Sequence, residues 1–157
     1  MKNDKFLISI IVSIILLVIV AIAVVLARGQ SEDYIADDSP GGVVHNYFLA
    51  IQRHDYDKAY AYLSDEIKSK PDLDEFIRTI DNARGSEAAL QIGQSDINDN
   101  RARIELSITT YYGGGPFDSN SYTSQETAHL RRTASGEWKL IEFPYPYWGY
   151  DWNEAEE

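Results

Sequence analysis

The sequence predicts an α+β domain, three helices and a four-stranded antiparallel sheet, carried behind one apolar N-terminal helix. Three observations predict it. Phe6 to Ala27 is an uncharged run of 22 residues. Apolar residues then recur at helical spacing in three segments between Ser39 and Gly85, and from Ala88 to Phe143 the period changes to two. Helices followed by a meander of strands place the helices on one face of the sheet.

The N-terminal run has only Ser9 and Ser13 as polar side chains. As a helix rising about 1.5 Å per residue it is roughly 33 Å long, enough for a ~30 Å hydrocarbon core. Lys2, Lys5 and the amino terminus precede it, whereas Arg28 and then Glu32, Asp33, Asp37 and Asp38 follow. The basic residues put the amino terminus in the cytoplasm and the rest of the chain outside. A secretory signal has an apolar core of about 7–15 residues followed by a small-x-small site. Here Ala21-Ile22-Ala23 lies inside the run, so an uncleaved anchor is expected. The expected organisation is residues 1–5 in the cytoplasm, a transmembrane helix over 6–27 and an acidic linker over 28–42. A domain over 43–143 and an aromatic, acidic tail over 144–157 complete it, as a single-pass protein of the cell membrane.

There is no cysteine, which excludes disulfides, cysteine-ligated zinc, thiol catalysis and a lipoprotein anchor. The chain carries 14 basic and 25 acidic side chains. Without residues 1–28, which hold Lys2, Lys5, Arg28 and Asp4, 11 basic and 24 acidic remain, a net charge of −13. So acidic a domain repels phosphate backbones, which argues against nucleic acid as a partner.

Each helix has a start signal and a stripe. Ser39 and Pro40 open the first, whose Val44, Tyr47, Phe48 and Ile51 fall at i, i+3, i+4 and i+7. The second starts at Asp55 and repeats the pattern with Tyr56, Ala59, Tyr60 and Leu63. The third follows Pro71, with Asp72 as cap, Glu75 three residues on, and Leu73, Phe76, Ile77 and Ile80 as its stripe. Gly85 ends it.

Four strands are expected in "AALQIGQSDI", "RARIELSITTYY", "SYTSQETAHLRRT" and "EWKLIEF". The second alternates most cleanly, with Ile104, Leu106 and Ile108 against Arg103, Glu105, Ser107 and Thr109. Asn98 to Asn100 make the first turn, "GGGPFDSN" a long loop, and Ala134-Ser135-Gly136 the last connection.

The helix pair in "VVHNYFLAIQRHDYDKAYAYLS", the third helix in "LDEFIRTI" and the closing "GEWKLIEF" resemble the nuclear transport factor 2-like superfamily. Within it, they are similar to small bacterial extracytoplasmic domains of unknown function. The resemblance covers about Gly41 to Phe143 and implies a cone: three helices wrapped on a strongly curved, mainly antiparallel four-stranded sheet, with a pocket between them. Members include enzymes similar to ketosteroid isomerase or scytalone dehydratase, and many binding or dimerising domains, and fold alone does not choose among these. The resemblance also makes a homodimer through the outer sheet face plausible, burying Arg103, Glu105 and Thr109.

The stretch Ala50 to Glu66 holds a histidine, three tyrosines and four acidic residues, yet each conspicuous residue has a structural use. Asp55 is placed to cap the second helix, Asp57 lies in its first turn, and His54 ends the first helix. The stretch is expected to be a joint. His45, His54 and His129 lack the spacing of a helical zinc site, so no metal or cofactor is expected. No GxSxG, P-loop or HExxH motif occurs.

Glu126 is the sharpest candidate. If Ala128 and Leu130 face the core, period two turns Glu126, Ser124 and Tyr122 to the same side. A carboxylate inside an apolar cone could act as a general base, as inward acids do in enzymes of this superfamily. The simpler expectation is that the strand starts at the sheet's open end or has a bulge, and Glu126 reaches water or pairs with an arginine. With the pocket open, Tyr47, Tyr60, Tyr112, Glu126 and Trp138 are the expected ligand contacts; filled by Tyr47, Tyr60 and Trp138, the cone is a scaffold. In the tail Tyr145, Tyr147, Trp148, Tyr150 and Trp152 fall within eight residues. They either fold back over the domain or form an aromatic surface for an envelope protein or a glycan. The favoured function is a non-catalytic, membrane-anchored extracytoplasmic binding or assembly module; the alternative is an isomerase- or dehydratase-type enzyme using Glu126.

Overall fold

The computed structural model describes residues 3–28, 33–36, 38–68, 71–82, 87–115, 118–149 and 152. The chain divides into two units, Met1–Asp33 and Tyr34–Glu157. The first holds helix α1, Asn3–Arg28. Its Phe6–Ala23 span has a mean hydropathy of 3.3, long and apolar enough to cross a membrane. Ser13 donates its hydroxyl to the Ser9 carbonyl at 2.9 Å, so even this polar group is satisfied inside the helix, as lipid demands.

The second unit runs α2 (Pro40–Gln52), α3 (Tyr56–Ala61), α4 (Leu73–Asn82), β1 (Glu87–Asn98), β2 (Arg101–Gly115), β3 (Asp118–Arg132) and β4 (Trp138–Leu140). The caps work largely as their residue types dictate. Ser39 Oγ accepts from the Gly42 N–H at 3.1 Å, and Asp72 Oδ1 accepts from the Glu75 N–H at 2.9 Å. Asp55 differs: it precedes α3 without a side-chain cap bond and accepts instead from the Tyr34 hydroxyl at 3.3 Å. The helix stop expected at Gly85 lies outside the described residues.

The joint between α2 and α3 is a Schellman turn with histidine where glycine is usual. His54 has φ 63°, its N–H bonds the Ile51 carbonyl at 3.0 Å, and the Asp55 N–H bonds the Ala50 carbonyl at 2.9 Å.

The sheet order is β1-β2-β3-β4, antiparallel throughout. Asp99, at φ 49°, makes the first turn; aspartate tolerates that conformation. Two expectations change. The long loop after Tyr112 is shorter than expected, because pairing resumes beyond a bulge and Gly115 is paired with Asp118. The last strand is only Trp138–Leu140. Its far side is taken by the chain after α3, where the Leu140 N–H bonds the Tyr62 carbonyl and the Ser64 N–H bonds the Leu140 carbonyl.

One sheet face packs on the helices. Ile104, Leu106, Ile108, Ala128 and Leu130 are buried there against Val44, Tyr47, Phe48 and Ile51 of α2 and Phe76 and Ile80 of α4. Burying each larger side chain contributes about 1.5–3 kcal/mol. The other face is polar, with hydroxyls of Thr109 and Thr123 2.9 Å apart and Gln125 donating to Ser107 at 3.1 Å. Arg103 and Glu105 are exposed on it and Thr109 half-buried.

Candidate functional site

What fills the cone is decided at the end of β4. The Ile141 N–H makes the last bond to β3, onto the His129 carbonyl at 3.0 Å. The chain then turns inward with Phe143 and Pro144 buried, and Pro144 and Pro146 have no N–H to continue a ladder. Tyr147 is buried against Phe48, ring centroids 5.5 Å apart. Trp152 is buried on Phe143 at 4.7 Å and stacked on Phe76 at 5.9 Å. Tail aromatics thus complete the core.

Three hydroxyls are among the polar atoms buried there. Tyr47 is fully buried, and its hydroxyl, Thr110 Oγ1 and Ser124 Oγ have no hydrogen-bond partner among the described residues. Thr110 and Ser124 are diagonal neighbours, since Ile108 pairs with Ser124 and Thr110 with Tyr122. Burial, and next the neighbouring Tyr147, push the Tyr47 phenol well above its ordinary value, so it remains a protonated donor. Among the described residues no carboxylate is buried in this core, and none of their acidic and histidine side chains gather as a metal site would need.

Glu126 stands elsewhere. It is half-exposed and lines a surface cleft of about 430 Å³ at the point where β4 stops and β3 runs on. Leu106 and Phe143 lie beneath; Glu126 and Glu142 supply carboxylates, and Tyr145 and Trp148 supply rings. Glu142 is fixed by His129, whose Nδ1 lies 2.7 Å from Glu142 Oε1. His129 Nε2 accepts from Arg103 Nε at 3.4 Å, so the hydrogen bonds assign the ring proton to Nδ1, donating to Glu142. Trp148 is 43% exposed.

The cleft therefore gathers Glu126, Tyr145 and Trp148, while the other expected contacts lie apart from it. Tyr60 is half-buried, and its hydroxyl lies 2.7 Å from the Lys68 carbonyl and 3.0 Å from that of Pro71, tying down the loop before α4. Trp138 is buried in β4 with the Arg132 guanidinium 5.8 Å from its ring centroid. Tyr147 and Trp152 belong to the core. The Tyr112 side chain and Tyr150 lie outside the described residues. Glu142 escaped the sequence reading because its register beside His129 depends on where β4 ends. A larger groove between residues 64–68 and the β3–β4 connection is lined by Lys68, Arg131 and Lys139. These charges are matched by Asp65, Glu66 and Glu137 at 3.4, 2.5 and 3.4 Å.

Asn46 is a further residue that sequence reasoning passed over. Buried in α2, it accepts from the Ile35 N–H and donates to the Ile35 carbonyl, both at 2.8 Å. Next to it the Tyr34 ring carries Lys58 Nζ at 3.2 Å and Arg53 Cζ at 4.9 Å from its centroid. Residues 34 and 35, expected within a free linker, are thus held on the domain.

No protein-family model matches the chain. No curated protein matches it either. Solved structures do. A SEC-C motif containing protein from Rhodopseudomonas palustris is similar with a TM-score of 0.55 and 22% identity, over 74% of this chain and 82% of that one. One from Thiobacillus denitrificans, described as a calcium/calmodulin-dependent protein kinase type II association domain, gives 0.53 and 9%, over 66% and 90%. One from Streptomyces avermitilis, described as a dehydratase of the NTF2-like family, gives 0.46 and 16%, over 64% and 87%. At such identities the likeness concerns the fold. The two likenesses with a TM-score above 0.5 show an α+β fold of helices packed on an antiparallel sheet, and in this chain an apolar helix precedes it in sequence.

Proposed function

We propose that the chain is a non-catalytic binding module, tethered to a membrane by α1, that recognises its partner at the cleft beside β3 rather than inside the cone. The observation that carries this reading is the seating of Tyr147 and Trp152 in the core, where the chain's own aromatics take the space an enclosed pocket would need. An isomerase- or dehydratase-type enzyme would need Glu126 enclosed with its substrate, excluding water; Glu126 instead lines a cleft at the surface. The charge asymmetry around α1 supports an amino terminus in the cytoplasm and a domain outside the cell membrane.

The test is native mass spectrometry of the full chain released from detergent micelles. The expected spectrum is the bare chain mass; a small molecule that co-purifies and is lost in Tyr47→Phe would overturn the reading. Topology has its own assay, because the chain has no cysteine. In intact cells an impermeant maleimide should label Ser31→Cys but not Asn3→Cys.

A further inference from the structure

We infer that the free edge of β3 beside the cleft takes up an extended, basic polypeptide segment, which adds a strand where β4 stops and sets a lysine or arginine between Glu126 and Trp148. The inference rests on the binding-module reading and names its partner class.

The backbone makes the first part of the case. In an antiparallel sheet the N–H and C=O of one residue point to the same side, and successive residues alternate. His129 points its carbonyl at Ile141 on the β4 side, whereas the Arg132 N–H bonds Asn100 on the β2 side. By alternation Thr127, Gln125 and Thr123 present their peptide groups to the β4 side, and no described residue past Ile141 bonds to them. The chain's own continuation leaves this edge through Pro144 and Pro146. From Asp118 to Thr127 the edge carries no lysine, arginine or proline, the residues that commonly guard an exposed edge against pairing.

Side-chain chemistry chooses the occupant. The cleft is lined by two carboxylates and three aromatic rings, Phe143, Tyr145 and Trp148, and by no basic side chain. Carboxylates beside an exposed indole suit an ammonium or guanidinium, which gains an ion pair and a cation–π contact together. The charge of −13 beyond residue 28 draws cations toward the domain. The same charge opposes edge-to-edge pairing of two copies. Strand addition supplies main-chain hydrogen bonds, and the cleft reads one side chain in two along the incoming segment.

The test uses the full chain in nonionic detergent and a fluorescein-labelled hexapeptide, Lys-Thr-Lys-Thr-Lys-Thr, followed by anisotropy. Saturable binding is expected, weakened about tenfold in Glu126→Gln and in Trp148→Ala and unchanged in Glu105→Gln on the outer face. The same peptide N-methylated at alternate amides should bind about tenfold more weakly as well, since it cannot complete the ladder. A urea midpoint unchanged in Glu126→Gln keeps that variant decisive even if Trp148→Ala folds poorly. Equal binding of a Glu-Thr hexapeptide, no loss in Glu126→Gln, or no binding at all overturns the inference. So does a neutral oligosaccharide that quenches tryptophan emission where the peptide fails, or a dimer dispersed by Trp148→Ala. These outcomes leave the binding-module reading to the co-purification experiment, which probes the interior alone.

Discussion

The indole of Trp152 lies 4.7 Å, centroid to centroid, from the ring of Phe143, and the backbone between them has to turn tightly to bring them together. Gly149 makes that turn possible: a Cβ there would stand 2.5 Å from the Trp152 ring. Gly149→Ala is expected to destabilise the domain by roughly 1–3 kcal/mol through overpacking, and Trp152→Ala by about 3–5 kcal/mol through the space it leaves. Urea denaturation measures both. Changes within about ±0.5 kcal/mol, the range of surface substitutions, would mean that the tail does not close the core.

His54 holds a backbone conformation that favours glycine, at φ 63° and exposed. His54→Gly should therefore raise stability by roughly 0.5–1 kcal/mol. His54→Ala keeps the Cβ and should gain nothing. A thermal shift series on the two variants separates backbone strain from any role of the imidazole.

Asn46 and Ile35 make a two-bond clamp. In Asn46→Ala the Ile35 amide should lose its hydrogen-exchange protection, while the overall stability falls by about 1–2 kcal/mol. Protection retained at Ile35 would show that the Tyr34 contacts with Lys58 and Arg53 suffice to hold the segment.

Alkaline titration reads the interior. Burial raises the phenols of Tyr47 and Tyr147 above their ordinary 10.0. Below pH about 10 both tyrosines are protonated whether the chain is folded or unfolded, and their contribution to stability is constant. Above it the unfolded chain loses these protons first, so stability falls as pH rises toward the folded values, by about 1.4 kcal/mol per pH unit for each tyrosine. Tyr47→Phe should lessen that fall by about 1.4 kcal/mol per pH unit in urea titrations above pH about 10. An unchanged slope would mean that the Tyr47 phenol reaches solvent.

The helical stripes of α2 and α4 were legible because each is local. Val44, Tyr47, Phe48 and Ile51 are set by a period of 3.6 within one segment, and all four are buried. The second stripe was read too long: α3 ends at Ala61, and Leu63 lies beyond it in a bridge to Leu140. Glu126 was legible only in part. Its side of β3 follows from period two, but whether that side is enclosed or open at residue 126 depends on where a different strand ends. The five tail aromatics read alike in sequence, yet Tyr147 and Trp152 are buried while Trp148 is exposed, since a chain interrupted by prolines has no single period from which to tell them apart.

Sequence alone therefore determined the apolar helix, the three amphipathic helices, the alternation of the sheet and its α+β class, because each rests on spacing within a continuous stretch. Tertiary structure decided that β4 is only three residues long, that the tail closes the cone, and that Glu126 meets Glu142 and Trp148 in one cleft. Those outcomes depend on which backbone groups find partners across the chain, Leu140 with Tyr62 and Ser64 and Ile141 with His129, and no local period encodes a pairing between distant segments.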